Sequence, residues 1–250
     1  MAGHSQFKNI MHRKGRQDSL RGKLFNKIAR EIMVSCKAGA SDPAVNPRLR
    51  AAMQEARTNN MPRERIERAI KAALPGAADA ANYEEVRYEG YGPGGVALIV
   101  EALTDNRNRT AGEVRSAFSK FGGAMGEANS VSFMFMRCGR ILYPPEAAEA
   151  ERMLEAVIEA GGDDVVTGAD GHEITTGPDD FAAVRDALEA KFGAASSAGL
   201  TWKPQNLTPA GGADAANLVK LLDALNDNDD VQNVIGNFDI ALEELERLTG

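Results

Sequence analysis

Residues 140–202 read RILYPPEAAEAERMLEAVIEAGGDDVVTGADGHEITTGPDDFAAVRDALEAKFGAASSAGLTW, and the order of periods in this stretch decides the fold class. Arg140–Tyr143 reads as a strand, Pro145–Ala160 as a helix and Asp164–Thr167 as a strand. His172–Thr176 is a further strand, Asp179–Phe192 a helix and Ser197–Trp202 a strand. That β-α-β-β-α-β order is the ferredoxin-like split unit. Trp202, the chain's single tryptophan, ends the last strand and is expected in the core.

On its N-terminal side, Glu84–Glu89 and Val96–Leu103 read as strands around the turn Gly92-Pro93-Gly94-Gly95. Thr110-x-x-Glu113 has the form of a capping box opening a helix through Phe121, and Val131–Met136 reads as a strand. On the C-terminal side, residues 204–214 read as a linker, Ala215–Leu225 as a helix and Val231–Phe238 as strand-like. A lone helix and strand could not bury themselves, so they are expected to complete the layer left short at 83–136.

Residues 19–75 are helical by pattern. Leu20, Leu24, Ile28 and Ile32 make one apolar stripe, and Asn46-Pro47 is a helix start with Asn as N-cap. That second helix buries Leu49, Ala52, Met53 and Ala56. A third, opened by Pro62, buries Ile66, Ala69, Ile70 and Ala73 and turns Arg63, Arg65, Arg68 and Lys71 outward. Residues 75–82, small and poor in large apolar side chains, read as a linker. The expected architecture is α+β: an N-terminal helical bundle plus two α/β domains, one of them discontinuous with a ferredoxin-like insert. Its parts are a basic flexible arm at 1–18, a helical basic domain at 19–75, a discontinuous domain at 83–136 plus 213–250, and the insert at 139–203.

Charge is divided along this architecture. Residues 1–75 hold 16 Lys and Arg against 6 Asp and Glu, a net of +10, whereas the whole chain carries −7. The remaining 175 residues therefore carry −17. Concentrated positive charge attracts a polyphosphate backbone and an acidic body repels it, so contact is expected through one end. The contact surface would be His4, Phe7, Lys8, His12, Arg13, Lys14 and Arg16 on the arm, with Arg21, Lys23, Lys27 and Arg30 on the first helix. Lysines and arginines there would neutralise phosphates, and Phe7 could stack on an exposed base.

Other motifs carry less. Gly90-x-Gly92-x-x-Gly95 has the dinucleotide-binding spacing, but a strand follows it where a helix is required, so a hairpin turn is the better reading. His4, His12 and His172 are scattered, and no metal or cofactor is expected. Asn226–Asp230 has calcium-loop composition without the required Gly and Glu. Arg107 and Arg109 adjoin a helix start and are a candidate anion or RNA contact, against the plainer reading of a solvated turn. They also leave open an enzyme acting on phosphorylated substrates, although no catalytic arrangement of Ser, His, Cys or Asp can be argued. Cys36 and Cys138 form no cluster and read as reduced, buried thiols of a cytoplasmic protein. No apolar run reaches the roughly 18 residues of a membrane span, and no apolar stretch follows the basic start as in a secretory signal. Asp18 and Glu31 also argue against an organellar transit peptide.

Several strings resemble the YebC/PmpR family, whose eukaryotic relatives include the mitochondrial translational activator of cytochrome c oxidase. They are Met1-Ala-Gly-His-Ser5, His12-Arg13-Lys14, Arg21-Gly-Lys-Leu-Phe25, Asn46-Pro-Arg-Leu-Arg50, Asn59-Asn-Met-Pro62 and Ile66-Glu-Arg-Ala-Ile70. Tyr83-Glu-Glu-Val-Arg-Tyr-Glu-Gly-Tyr-Gly-Pro-Gly-Gly95 and Leu103-Thr-Asp-Asn-Arg-Asn-Arg-Thr110 continue the match. The resemblance implies a three-domain α+β cytoplasmic protein and a DNA-binding transcriptional regulator. Its alternative implication is a ribosome-associated factor on rRNA or tRNA that relieves elongation stalls at proline runs. The family's opening motif carries tryptophan where this chain has Phe7, so stacking is kept and an indole donor is lost.

Overall fold

The computed structural model describes residues 17–74 and 82–249. Three helices come first: α1 (Gln17–Ala38), α2 (Pro47–Thr58) and α3 (Arg63–Ala73). Asn46 caps α2 by accepting from the Leu49 amide at 3.1 Å, with Pro47 at the first helical position. Its own amide donates back to the Ser35 and Ala40 carbonyls, at 2.8 and 2.7 Å. One buried asparagine thus starts α2 and ties it to the end of α1. The bundle core is Phe25, Ile28, Ile32 and Cys36 from α1, Leu49, Ala52 and Ala56 from α2, and Met61, Ile66 and Ala69 around α3. Leu24, Met53, Ile70 and Ala73, expected inside, sit partly buried at its margin.

The rest of the chain runs β1 (Glu84–Tyr91), β2 (Ala97–Thr104), α4 (Arg107–Lys120), β3 (Ala124–Met125), β4 (Phe135–Tyr143), α5 (Ala150–Ala160), β5 (Asp164–Gly168), β6 (Gly171–Thr176), α6 (Phe181–Phe192) and β7 (Ser197–Pro204). It ends with β8 (Thr208–Pro209), α7 (Gly212–Asp227), β9 (Val231–Gly236), β10 (Phe238–Asp239) and α8 (Leu242–Thr249). The first sheet has the order β3-β1-β2-β9, so a strand from residue 231 onward lies beside one ending at 104. β1 and β2 form an antiparallel hairpin whose turn places Gly94 and Gly95 at φ 71° and 73°, the left-handed region glycine adopts without a Cβ clash. The glycine run therefore closes a hairpin and opens no phosphate-binding helix.

β2 is buried on both faces, which is why its sequence is a continuous apolar run rather than an alternation. One face packs Leu98 and Val100 with Val114, Phe118, Leu218, Leu221 and Leu225 of α4 and α7. The other packs Ala97 and Ile99 with Ile235, Val131 and Phe135. The second sheet has the order β5-β6-β4-β7, all antiparallel, the ferredoxin-like arrangement, with α5 and α6 on the core formed by Ile141, Tyr143, Met153, Val157, Ile174, Val184 and Leu188.

Three local readings change, and one further element appears. Val131–Met136 and Arg140–Tyr143 are not two strands. Residues 135–143 form one strand paired with β7 from Phe135↔Pro204 to Leu142↔Ser197, and Ser132–Met134 is a 3-10 turn. The cause is Glu89, whose buried carboxylate accepts from the amides of Val131 and Ser132, both at 2.9 Å, and removes them from any ladder. The helix at 107–120 is capped by Asn106, accepting from the Arg109 amide at 3.1 Å, and Thr110 lies inside it. Trp202 is half-buried rather than core. Its indole donates to Glu101 at 3.0 Å, and the guanidinium groups of Arg87 and Arg137 each lie 5.1 Å from its ring. Finally, α8 closes the chain, with Leu245 buried and Glu244 accepting from the Gly212 amide at 2.7 Å.

Candidate nucleic-acid interface

His4, Phe7, Lys8, His12, Arg13, Lys14 and Arg16 lie outside the described residues. Arg21 is exposed, its guanidinium 5.4 Å from the Phe25 ring centre. Lys23, Lys27 and Arg30 repeat at helical spacing along one face of α1. That face is turned toward the chain's own acidic body, against the end of α7 and the loop after it. Lys23 Nζ lies 2.6 Å from Asp227 Oδ1 and 3.2 Å from the Asp227 carbonyl. Lys27 donates to the Asn226 carbonyl at 2.8 Å. Arg30 donates to the Asp229 carbonyl, lies 3.3 Å from Asp230 Oδ1, and has its guanidinium 5.0 Å from the Tyr83 ring centre.

The physical reason is the helix end. The last carbonyls of a helix have no partner within it and form its negative pole, and an ammonium or guanidinium group satisfies both needs. Arg48 adds a second seam between bundle and body by pairing with Glu31 and Glu85.

Asp230 is the hub of this junction and is 4 % exposed. Its Oδ2 accepts from Arg109 and from Thr110, both at 2.6 Å, and from Thr104 at 3.2 Å. Burial alone would push this carboxyl up. The bonds from Arg109 and Thr110 and the charges of Arg109 and Arg30 outweigh burial, leaving its pKa below the ordinary aspartate value. Glu89 behaves alike: burial raises it, and the amides of Val131, Ser132 and Asn129 with the charge of Arg87 bring it below the usual range.

A pKa depressed in the folded state stabilises fully above the unfolded value, and that stability is lost as pH falls through the folded value. Melting temperature should therefore change little through these groups between neutrality and about pH 5, and drop below about pH 4. Asp230→Asn should flatten the acid branch. An unchanged acid branch in that variant would assign the loss to other carboxylates.

Arg107 and Arg109 do not converge on an open anion site. Arg109 is held by Asp105 at 2.8 Å and by Asp230, and Arg107 points outward, its side chain 67 % exposed and 3.8 Å from Glu84. His172 is buried between the Thr167 hydroxyl and the Ala148 carbonyl. Both cysteines are buried free thiols whose pKa burial raises.

On α2 and α3, Arg57, Arg63, Arg68 and Lys71 are exposed, Arg63 with a side chain at 91 % beside Glu67. Arg50 and Arg57 also line a shallow groove of about 250 Å³ with Pro43, Ala44, Met53 and Gln54. The outward basic side of α3 was visible in its pattern, yet the α1 face carried the expectation. What sequence reading missed is the acidic counterpart at 226–230. Its only signal is an Asp-rich turn after a helix, with nothing in the string to pair it with residues about 200 positions earlier.

Residues 5–75 match the model of the TACO1/YebC N-terminal domain, and residues 83–238 that of the second and third domains. The chain belongs to the TACO1/YebC family. The second of these models is named for transcriptional regulation, so the family is regulatory by its name rather than enzymatic. The crystal structure of a conserved hypothetical protein, Aq1575 from Aquifex aeolicus, is similar at 45% sequence identity, covering 93% of this chain and 96% of that one with a TM-score of 0.83. No helix among the described residues of this TACO1/YebC chain is long and apolar enough to cross a membrane.

Proposed function

We propose that this TACO1/YebC chain is a non-enzymatic, nucleic-acid-binding regulator of gene expression acting in the cytoplasm, and that it engages the phosphodiester backbone through its N-terminal basic unit. The observation that carries the reading is charge segregation: +10 within residues 1–75 on a chain of net −7. Exposed Arg57, Arg63, Arg68 and Lys71 give that charge an outward face. Transcriptional regulation through DNA is the role the family name favours. Action on ribosomal RNA or tRNA at stalled proline runs is the other target of the same chemistry.

The enzyme reading through Arg107 and Arg109 is disfavoured by one observation: Arg109 is held by the carboxylates of Asp105 and Asp230.

Two measurements on the full chain divide the targets. Retention of a promoter duplex with no sedimentation on ribosomes supports the transcriptional role. Co-sedimentation with ribosomes that is lost on deleting residues 1–18 supports the translational one. Absence of both overturns the reading.

A further inference from the structure

We propose that the 226–230 loop is an internal competitor for nucleic acid: it occupies the cations of α1 in the free protein, and a phosphodiester backbone must displace it to use them. This rests on the nucleic-acid reading above and adds a regulation of the same surface. Three observations carry it.

The end of α7 and the loop after it present two carboxylates, Asp227 and Asp230, and main-chain carbonyls to Lys23, Lys27 and Arg30, oxygen acceptors of the kind a phosphate chain offers, at 2.6–3.3 Å where the separations are of ordinary length. The contacts are uneven in depth. Lys23 and Asp227 have side chains 32 % and 61 % exposed, so that pair is weak and exchangeable, whereas Arg30 and Asp230 are 13 % and 6 % exposed and anchor the hinge side. Lastly, the joined elements are separate cores, the helical bundle on one side and the α4–α7 sheet core on the other. The bundle can therefore lift from the body without breaking either.

Opening from the Lys23 end would uncover a continuous positive stripe along α1, contiguous in sequence with the arm. In the closed state part of the N-terminal charge is already neutralised, and the loop lowers affinity for every polyanion alike. It therefore acts as a threshold, which only a backbone engaging several cations at once overcomes.

The test compares four full-length proteins binding a 20-base-pair DNA duplex and, separately, a structured RNA hairpin over a salt series. D227N/D229N removes the loop's two exposed carboxylates and leaves Asp230 in place. It should bind roughly 3- to 10-fold more tightly than wild type. Its affinity should also fall more steeply with salt, because no displaced carboxylate must recover a counterion. K23Q breaks the same ion pair from the cationic side and should bind more weakly. E149Q/E151Q removes two exposed charges elsewhere and should stay within about twofold of wild type. Whichever nucleic acid shows the larger D227N/D229N gain identifies the source of the backbone.

If wild type binds and D227N/D229N matches it, or gains no more than E149Q/E151Q, the loop does not compete and the inference falls while the functional reading stands. If none of the four binds either nucleic acid, the functional reading fails and the inference with it.

Discussion

Asp230→Ala should destabilise the protein by about 2–4 kcal/mol, the largest single effect expected outside the apolar cores. The side chain is 6 % exposed and accepts from one guanidinium and two hydroxyls while facing a second guanidinium. Removing one partner of a buried pair costs more than forming it contributes, because the remaining groups stay desolvated. Two relaxations keep the figure below the upper range. Thr110 retains the Asn106 carbonyl at 3.1 Å, and Arg109, with a side chain 43 % exposed, keeps Asp105 and water. Asp229→Ala, at an exposed side chain, should stay within about 0.5 kcal/mol. Calorimetry on both variants checks this, and a Tm for Asp230→Ala equal to wild type would remove Asp230 from its place as the hub.

The second large effect concerns binding. Replacing Lys8, Arg13, Lys14 and Arg16 with glutamine should weaken nucleic-acid affinity roughly 10²- to 10³-fold near 0.1 M salt, since each neutralised phosphate releases about 0.9 of a counterion. The salt dependence should become shallower by about 3 to 4 in the log–log slope. Calorimetry on the same variant separates a loss of binding from a loss of folding. An affinity loss of less than threefold would move the contact surface off the arm and onto the exposed cations of α2 and α3.

How much of this was readable in the string depended on distance along the chain. Asn46-Pro47 predicted a helix start because capping is a local event within four residues, and the structure forms that bond. The ferredoxin-like unit was readable because its strands and helices alternate with clear periods and short turns. The misreadings all have partners far away. Glu89 takes the amides of Val131 and Ser132 from 42 and 43 positions off, so the strand begins at Phe135 instead of Val131. Thr110 fits a capping box by spacing, but its hydroxyl is taken by Asp230, 120 residues on, and Asn106 caps the helix instead. Lys23, Lys27 and Arg30 looked like open cations for the same reason: their partners come some 200 residues later. Local patterns therefore placed the elements, and long-range electrostatics decided which charges on them face outward.

The central claim, a phosphodiester backbone held by the N-terminal cations, is tested most directly by the salt dependence of nucleic-acid affinity of the intact chain. With about five or six phosphates engaged, log affinity should fall against log salt with a slope near −5. An affinity that stays flat from low to moderate salt would contradict it.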